Sequence, residues 1–263
     1  MIFVAIDMQS KEQSLPSFDF EKQIERAKWF KEDLDKGEGW SEAYKTPAST
    51  YWIKTFPGEE VPIKILFTYD MPMPAEKFLQ LLDPSNGESR HRWDDGFVDH
   101  EILEACDDGS FVTYVRSANP WPLSDRSFVL HYSPIKAIDW YGKQAFITVQ
   151  ENATHPSKPE GEDGCIRVYN GGNFFIAIPD ENEPEVSCKV FSLSNNLFKG
   201  CFPSMQEDEH EVSCKGLPLL LNNLFKGCLS SIVEFLMAKL VPRGFDKLRV
   251  NMNKGYKMLY AKE

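Results

Sequence analysis

The sequence has six cysteines, at 106, 165, 188, 201, 214 and 228, yet no Cys-x-x-Cys pair. In a chain of 263 residues such scattered thiols read as reduced, and neither a disulfide framework nor a zinc knuckle is indicated. There is no Gly-x-Ser-x-Gly elbow, no His-Glu-x-x-His, no Walker loop and no Gly-x-Gly-x-x-Gly fingerprint. The five histidines (91, 100, 131, 155 and 210) are scattered, so no hydrolytic triad or metal helix can be assembled from sequence. No apolar run approaches the roughly 20 residues that span a bilayer. Met1–Asp7 is too short, and lacks the basic lead, for a signal peptide. Positive charge is also scarce: 29 Lys and Arg stand against 40 Asp and Glu, a net charge of −11 that argues against nucleic-acid binding. These absences point to a cytoplasmic, acidic, globular protein that is not an enzyme.

What the chain has in quantity is apolar and aromatic surface: 42% hydrophobic residues, with 19 Phe, 9 Tyr and 6 Trp. That supports a sizeable core and a roomy, aromatic-lined interior. Residues 1–17 read as a flexible polar lead and 18–263 as a single domain. Phe18–Lys36 has helical spacing (Phe20, Ile24, Trp29, Leu34) and is ended by Lys36-Gly-Glu-Gly39. Strand patterns follow at Trp40–Thr46, Ser49–Phe56 and Val61–Tyr69, then a short helix at Pro74–Leu82 and a turn or two over Asp83–Trp93. Six more strand patterns cover Phe97–Cys106, Ser110–Ser117, Arg126–Ile138, Lys143–Asn152, Gly164–Ile178 and Glu185–Ser194. Gly171-Gly172 inside one of them marks a bulge. Leu229–Tyr260 returns to helical spacing, with Pro242 expected to kink it. The order is α+β with a mainly antiparallel sheet.

One segment occurs twice. EVSCKVFSLSNNLFKGC at 185–201 returns as EVSCKGLPLLLNNLFKGC at 211–228. Two copies do not make a solenoid, and the 12 or 13 residues between the matched cysteines fit no zinc pattern. A local duplication, inserted at about 202–228 before the last helix, is the simpler reading. From Leu236 onward seven Lys or Arg accompany only two acids, Asp246 and Glu263. A basic amphipathic helix on an acidic protein suits an anionic membrane surface.

The stretch SANPWPLSDRSFVLHY (117–132) combines a loop stiffened by Pro120 and Pro122, a prominent Trp121, and Asp125-Arg126 set immediately before an apolar strand. With ITVQENATHPSKPEGEDGCIRV, FKGCLSSIVEFLMAKLVPRGFDKLR and Arg90-x-x-Trp93-Asp94, it resembles the START (steroidogenic acute regulatory protein-related lipid transfer) domain family. Pro156, Pro159, Gly164, Ile166, Arg167 and Val168 match the family's later strand pair, and the likeness runs from about Trp40 to Arg249 in the family's order. Ser127 departs from it, where the family has Asp, as does the insertion.

The resemblance implies a helix-grip fold: a curved antiparallel sheet of about nine strands wrapped around a long C-terminal helix, with an internal lipid tunnel. It implies non-enzymatic lipid binding and transfer by a monomer, with no cofactor, metal or catalytic residue, and transient, reversible contact with membranes. Pro120, Trp121 and Pro122 of the loop, with Leu236 and Leu240 of the helix, would form the gate that meets the membrane. In the phosphatidylcholine-transfer type the arginine of Arg-x-x-Trp-Asp holds the lipid phosphate, and Arg90 is its match; Asn173 matches a lipid-contacting amide. The choline cage aligns with Val115, Phe128 and Gly171, so only Phe128 is aromatic. The acid and arginine of the sterol carriers align with Val115 and Tyr132, so that charge pair is missing. Tyr114 completes the candidate lipid-binding set, and Trp93, Asp94, Asp125, Arg126 and Arg167 take structural roles. A glycerophospholipid is the favoured cargo; a sterol or fatty-acid carrier, or a lipid sensor, are the alternatives.

Overall fold

The computed structural model describes residues 17–118, 124–197 and 244–260. Helix α1 (Phe20–Lys36) begins at Asp19, whose carboxylate accepts the Lys22 N–H at 3.1 Å, and ends at Gly37, with φ of 73°. Glycine takes that left-handed conformation without a Cβ penalty. The buried stripe is Gln23, Ala27 and Phe30, joined by Phe20, Ile24 and Leu34. Trp29, expected in that stripe, is half exposed and rests edge-on against Phe30. The cause is rotation: one residue back from Phe30 lies about 100° round the helix.

The strands are β1 (Ser41–Thr46), β2 (Ser49–Thr55), β3 (Ile63–Met71), β4 (Phe97–Ala105), β5 (Phe111–Ser117), β6 (Arg126–Tyr132) and β7 (Lys136–Trp140). They continue as β8 (Lys143–Asn152), β9 (Ile166–Arg167), β10 (Tyr169–Asn170), β11 (Asn173–Pro179), β12 (Cys188–Ser194) and β13 (Asn196–Leu197). Helices α2 (Ala75–Leu82) and α3 (Gly87–Arg90), with a 3-10 turn at Pro84–Asn86 between them, separate β3 from β4. Residues 244–260 form the C-terminal helix, α4.

The main sheet runs β1-β2-β3-β12-β11-β8-β6-β5-β4, antiparallel throughout that path, so the nine-strand expectation holds for its spine. Two short members lie alongside, β7 on β8 and β9 parallel to β6, and β10 with β13 forms a separate ribbon. The sheet is not closed. Two expected strands are broken. Arg126–Ile138 is split at Pro134, which has no N–H for the ladder. Gly164–Ile178 falls into three pieces, interrupted at Val168 and at Gly171-Gly172, with Gly172 at φ of 93°.

Strand alternation gives the sheet two apolar faces. The inner face carries Tyr51, Ile65, Phe67, Tyr69, Ala177 and Val190, covered by Phe78, Leu79 and Leu82 of α2 and by Phe245, Leu248, Met252 and Tyr256 of α4. The outer face carries Leu66, Ile147, Val149, Phe174, Ile176 and Leu193 beneath α1. A sheet covered on both faces explains why these strands are apolar at nearly every position.

Helix α4 is seated at two points. Phe245 stacks on Phe67 with ring centroids 3.8 Å apart, and Asp246 accepts from Tyr44 Oη at 2.5 Å, Tyr51 Oη at 3.1 Å and Ser49 Oγ at 3.3 Å. Further along, Gly255 lies flush against the Trp93 ring. The first copy of the duplicated segment is integral to the fold as β12 and β13. The second copy, the insertion at 202–228, Pro242 and the expected helical residues 229–243 lie outside the described residues, as do residues 1–16.

Candidate functional site

Directly opposed residues of an antiparallel ladder share a face. The register therefore places Asn173, Gln150, Tyr132 and Phe111 in one row across the inner face, followed by Leu130, Thr113 and Ile102, then Phe128, Val115 and His100. Of the residues expected to line a lipid, Asn173, Tyr132, Phe128 and Val115 are thus brought to one surface. Phe128 and Val115 are half-buried and opposed across β6 and β5, an apolar wall. Asn173 is spoken for: its Oδ1 accepts the Asn195 N–H at 2.7 Å, while Nδ2 donates to Gln150 and Asn196 at 3.4 and 3.3 Å. Between the sheet and α4 a cleft is bounded by Tyr51, Tyr69, Phe245, Leu248, Arg249 and Met252.

Arg90, the last residue of α3, is held by Asp94 one turn later. Its Nε donates to Asp94 Oδ2 at 2.9 Å and its Nη2 lies 2.8 Å from the same oxygen. The guanidinium carbon stands 4.5 Å from the Phe97 ring centroid and 5.7 Å from that of Trp93. Trp93 is fully buried beneath α4. The Arg-x-x-Trp-Asp motif therefore orients a cation with Asp94, backs it with aromatic rings, and seats the helix with Trp93. Burial pushes the Tyr132 phenol up, a shift that the nearby Arg90 charge opposes.

Tyr114, expected to touch lipid, faces the other way. It is opposed to Val129, packs with Val112 and Val129 on the outer face, and donates from Oη to Asp163 Oδ2 at 3.0 Å. Alternation makes this unavoidable once Val115 faces inward. Around Tyr114 the residues given structural roles form a clip. Strand β9 pairs parallel to the start of β6, with Arg126 opposite Ile166 and Ser127 opposite Arg167. Asp125 pairs with Arg116 at 2.8 Å, and Arg126 Nη1 donates to the Ser124 carbonyl at 2.5 Å. Arg167 Nε donates to Ser127 Oγ at 3.0 Å and lies 3.6 Å from Asp163.

The aspartate missing at 127 is thus offset by Asp163, a carboxylate supplied from the neighbouring loop. Burial alone would raise the Asp163 carboxyl. Hydrogen bonds from Ser127, the Cys165 N–H and Tyr114, with the Arg167 charge, bring it below the usual range instead. Asp125 and Arg126 introduce the apolar β6 for a mechanical reason: the pair ties the β5–β6 edge to the returning β9 segment.

The gate residues Pro120, Trp121, Pro122, Leu236 and Leu240 lie outside the described residues. Among the described residues no cluster of His, Cys, Asp and Glu is arranged to hold a metal, and no helix is long and apolar enough to cross a membrane. Cys188 is buried on the inner face, where desolvation pushes its thiol up to about 12. Sequence reasoning passed over Thr113, His100 and Gln150. The alternation Phe146-x-Thr148-x-Gln150 was the available signal, since it puts polar side chains on a face that the neighbouring strands bury.

Two histidines give the protein an acid sensitivity. His100 is held below its usual pKa by burial, then by the charges of Arg90 and His91. Burial lowers His131 as well, against the pull of Asp108 and Glu104. In the unfolded chain both would take up protons near pH 6.5. The unfolded state then binds more protons than the folded one, so stability falls as pH drops below about 6.5. Thermal melts should show a lower Tm at about pH 5.5 than at about pH 7.5, with part of the difference removed in His131→Gln. A flat Tm across that window would contradict the burial of both imidazoles.

Comparison with known proteins follows the same lines as the geometry. A sequence profile of the START domain matches residues 23–219. Comparison with the curated proteins finds no match. Among solved structures, human STARD10 superposes with a TM-score of 0.64 at 17% identity, over 95% of this chain and 86% of that one. Human StAR-related lipid transfer protein 5 gives 0.60 at 13% identity, over 91% and 97%. The lipid transfer and protein localization domain of human StarD13 gives 0.51 at 16%, over 72% and 88%. At these identities the superpositions speak for the fold: a large antiparallel sheet carrying a C-terminal helix. The profile covers well over half of the sequence, and with it the Arg90-Trp93-Asp94 knot and the Arg167 clip; this chain belongs to the START domain family.

Proposed function

We propose that the protein binds one lipid in an internal tunnel between the inner face of its sheet and α4, and exchanges it at membrane surfaces without catalysing a reaction. The observation that carries this reading is Arg90, a mostly buried cation oriented by Asp94 at the rim of an apolar inner wall. A guanidinium so placed suits a lipid phosphate, because its planar fork donates to phosphate oxygens. The cargo is accordingly a glycerophospholipid. The positions that would carry a sterol carrier's charge pair are Val115 and Tyr132, which cannot supply one. Enclosing the acyl chains supplies retention at about 0.8 kcal/mol per buried CH₂.

Contact with the membrane falls to α4 and the 117–125 loop. On the outward side of α4, Lys247, Lys254 and Lys257 are exposed beside Val250 and Met258, at 59% and 47% exposure. Apolar side chains among lysines are the composition of an interfacial helix, each lysine worth about 1 kcal/mol at an anionic surface.

The experiment is incubation of the protein with vesicles of mixed phospholipids and cholesterol, followed by re-isolation and native mass spectrometry. One phospholipid per chain is expected, with occupancy of Arg90→Ala lower by about ten-fold or more, as for loss of a charged hydrogen bond. Bound cholesterol, or an empty protein with and without Arg90, would overturn the reading.

A further inference from the structure

Three buried polar atoms, two of them beside Arg90, have no hydrogen-bond partner among the described residues: Trp93 Nε1, His100 Nε2 and Thr113 Oγ1. Trp93 and Thr113 are enclosed, at 1% and 0% exposure. Native proteins rarely leave such groups unsatisfied, and a ligand or ordered water is the usual missing partner. The three belong to one neighbourhood. Trp93 stands beside Arg90, whose charge also reaches His100 and Tyr132. His100 is opposed to Val115, and Thr113 is two residues before Val115 on the same inner face.

Their chemistry restricts which ligand could complete them. Asp94 balances the Arg90 charge and takes its Nε–Nη2 edge, so a ligand meets only the remaining Nη1–Nη2 edge, which suits a singly charged phosphodiester better than a doubly charged phosphomonoester. Choline calls for several aromatic faces, and of its aligned positions only Phe128 provides one. An ammonium headgroup calls for a free carboxylate, and those nearby are engaged, Asp94 with Arg90, Asp83 with Ser85 and Asp99 with the His100 N–H. A threonine hydroxyl and a neutral imidazole both donate and accept, and the indole N–H donates. That set is complementary to hydroxyl groups.

We propose that the cargo is a phosphodiester lipid whose headgroup alcohol carries free hydroxyls, as glycerol and inositol do, and that His100 and Thr113 select it. This rests on the reading of Arg90 as the phosphate ligand. The phosphate is held by Arg90, and the hydroxyls beyond it complete the hydrogen bonds of His100 and Thr113. Tyr132 lies in the adjacent row of the same face, within reach of the Arg90 field.

The test uses vesicles holding equal amounts of phosphatidylcholine, phosphatidylethanolamine, phosphatidylglycerol and phosphatidylinositol, with bound lipid quantified after re-isolation. Phosphatidylglycerol and phosphatidylinositol together should exceed phosphatidylcholine by about ten-fold. Thr113→Val and His100→Leu should each reduce that preference by about five-fold, the effect of one lost hydrogen bond. Equal loading of all four lipids, or a preference that both variants retain, overturns the selectivity proposal and leaves the phosphate reading intact. Absence of any phospholipid from wild type overturns both. Should the variants fail to fold, the wild-type preference alone decides the headgroup class.

Discussion

Leucine at position 255 should lift the C-terminal helix from the sheet. A Cβ on Gly255 would stand 2.7 to 2.8 Å from three atoms of the Trp93 indole, closer than real side chains approach. Trp93 has nowhere to go, being 1% exposed and backed by Arg90. Overpacking of this kind costs about 1–3 kcal/mol for small additions, and a leucine adds three further carbons, so about 3 kcal/mol or more is expected. Helix propensity works in the opposite direction, favouring almost any residue over glycine by up to about 1 kcal/mol. The helix supplies its own control: Gly244 has nothing within 4 Å of its added Cβ, so Gly244→Ala should be neutral or mildly stabilising. Hydrogen exchange across 244–260, read beside the Tm, decides the matter. Unchanged protection in Gly255→Leu would show that α4 does not depend on Trp93 for its seat.

The second large effect is expected at Asp246. Its carboxylate accepts from Tyr44 of β1 and from Ser49 and Tyr51 of β2. Alanine at 246 removes the acceptor and strands the Tyr51 hydroxyl in a site only 1% exposed. One buried donor left unsatisfied costs about 1–3 kcal/mol, and the lost hydrogen bonds from Ser49 and Tyr44 bring the sum to about 3–4 kcal/mol. Tyr51→Phe removes donor and debt together and should be milder, at about 1 kcal/mol. Combining the two should give less than the sum, because Asp246→Ala no longer orphans a hydroxyl when residue 51 is phenylalanine. Additive effects in that double-mutant cycle would mean that Asp246 and Tyr51 act independently. Because the same bonds fasten α4 over the inner face, Asp246→Ala should also hasten lipid exchange between vesicles.

Much of the architecture was legible in the sequence for a definite reason. Period-two alternation and glycine punctuation are local, and they locate β1 through β5 and β8 within a residue or two of their ends. Local signals failed where a single position overrode them. Pro134 cut one strand that composition alone would have run through, and Trp29 looked like core because apolar character was weighed above its angular position on α1. The site was legible only as far as the family motif extends. Arg90, Trp93 and Asp94 announce themselves as a set, and Arg167 comes with its own flanking glycine and valine. Tyr114 does not share the face of Val115, because neighbours along a strand point to opposite faces. Asp246 and Gly255 gave no warning at all. Their partners lie some 195 to 202 residues away for Asp246, and for Gly255 strands β4 to β13 intervene in the chain, so no periodicity connects them.

Because the sheet is open, β1 and β4 each present an edge to which no further strand is paired among the described residues. Exposed edges are templates for fibril growth and for the accidental pairing of one copy with another. Both edges are spoiled for that purpose. Strand β4 is bulged between Phe97 and Asp99 and again between Ile102 and Glu104, and β1 between Glu42 and Tyr44. The bulges break the regular spacing of N–H and C=O groups that a second strand would need. On β4 the exposed Asp99, Glu101 and Glu104 add a row of like charge, so two such edges brought together would repel. A protein can therefore keep its sheet open on both sides of its helix and still resist polymerising through those edges.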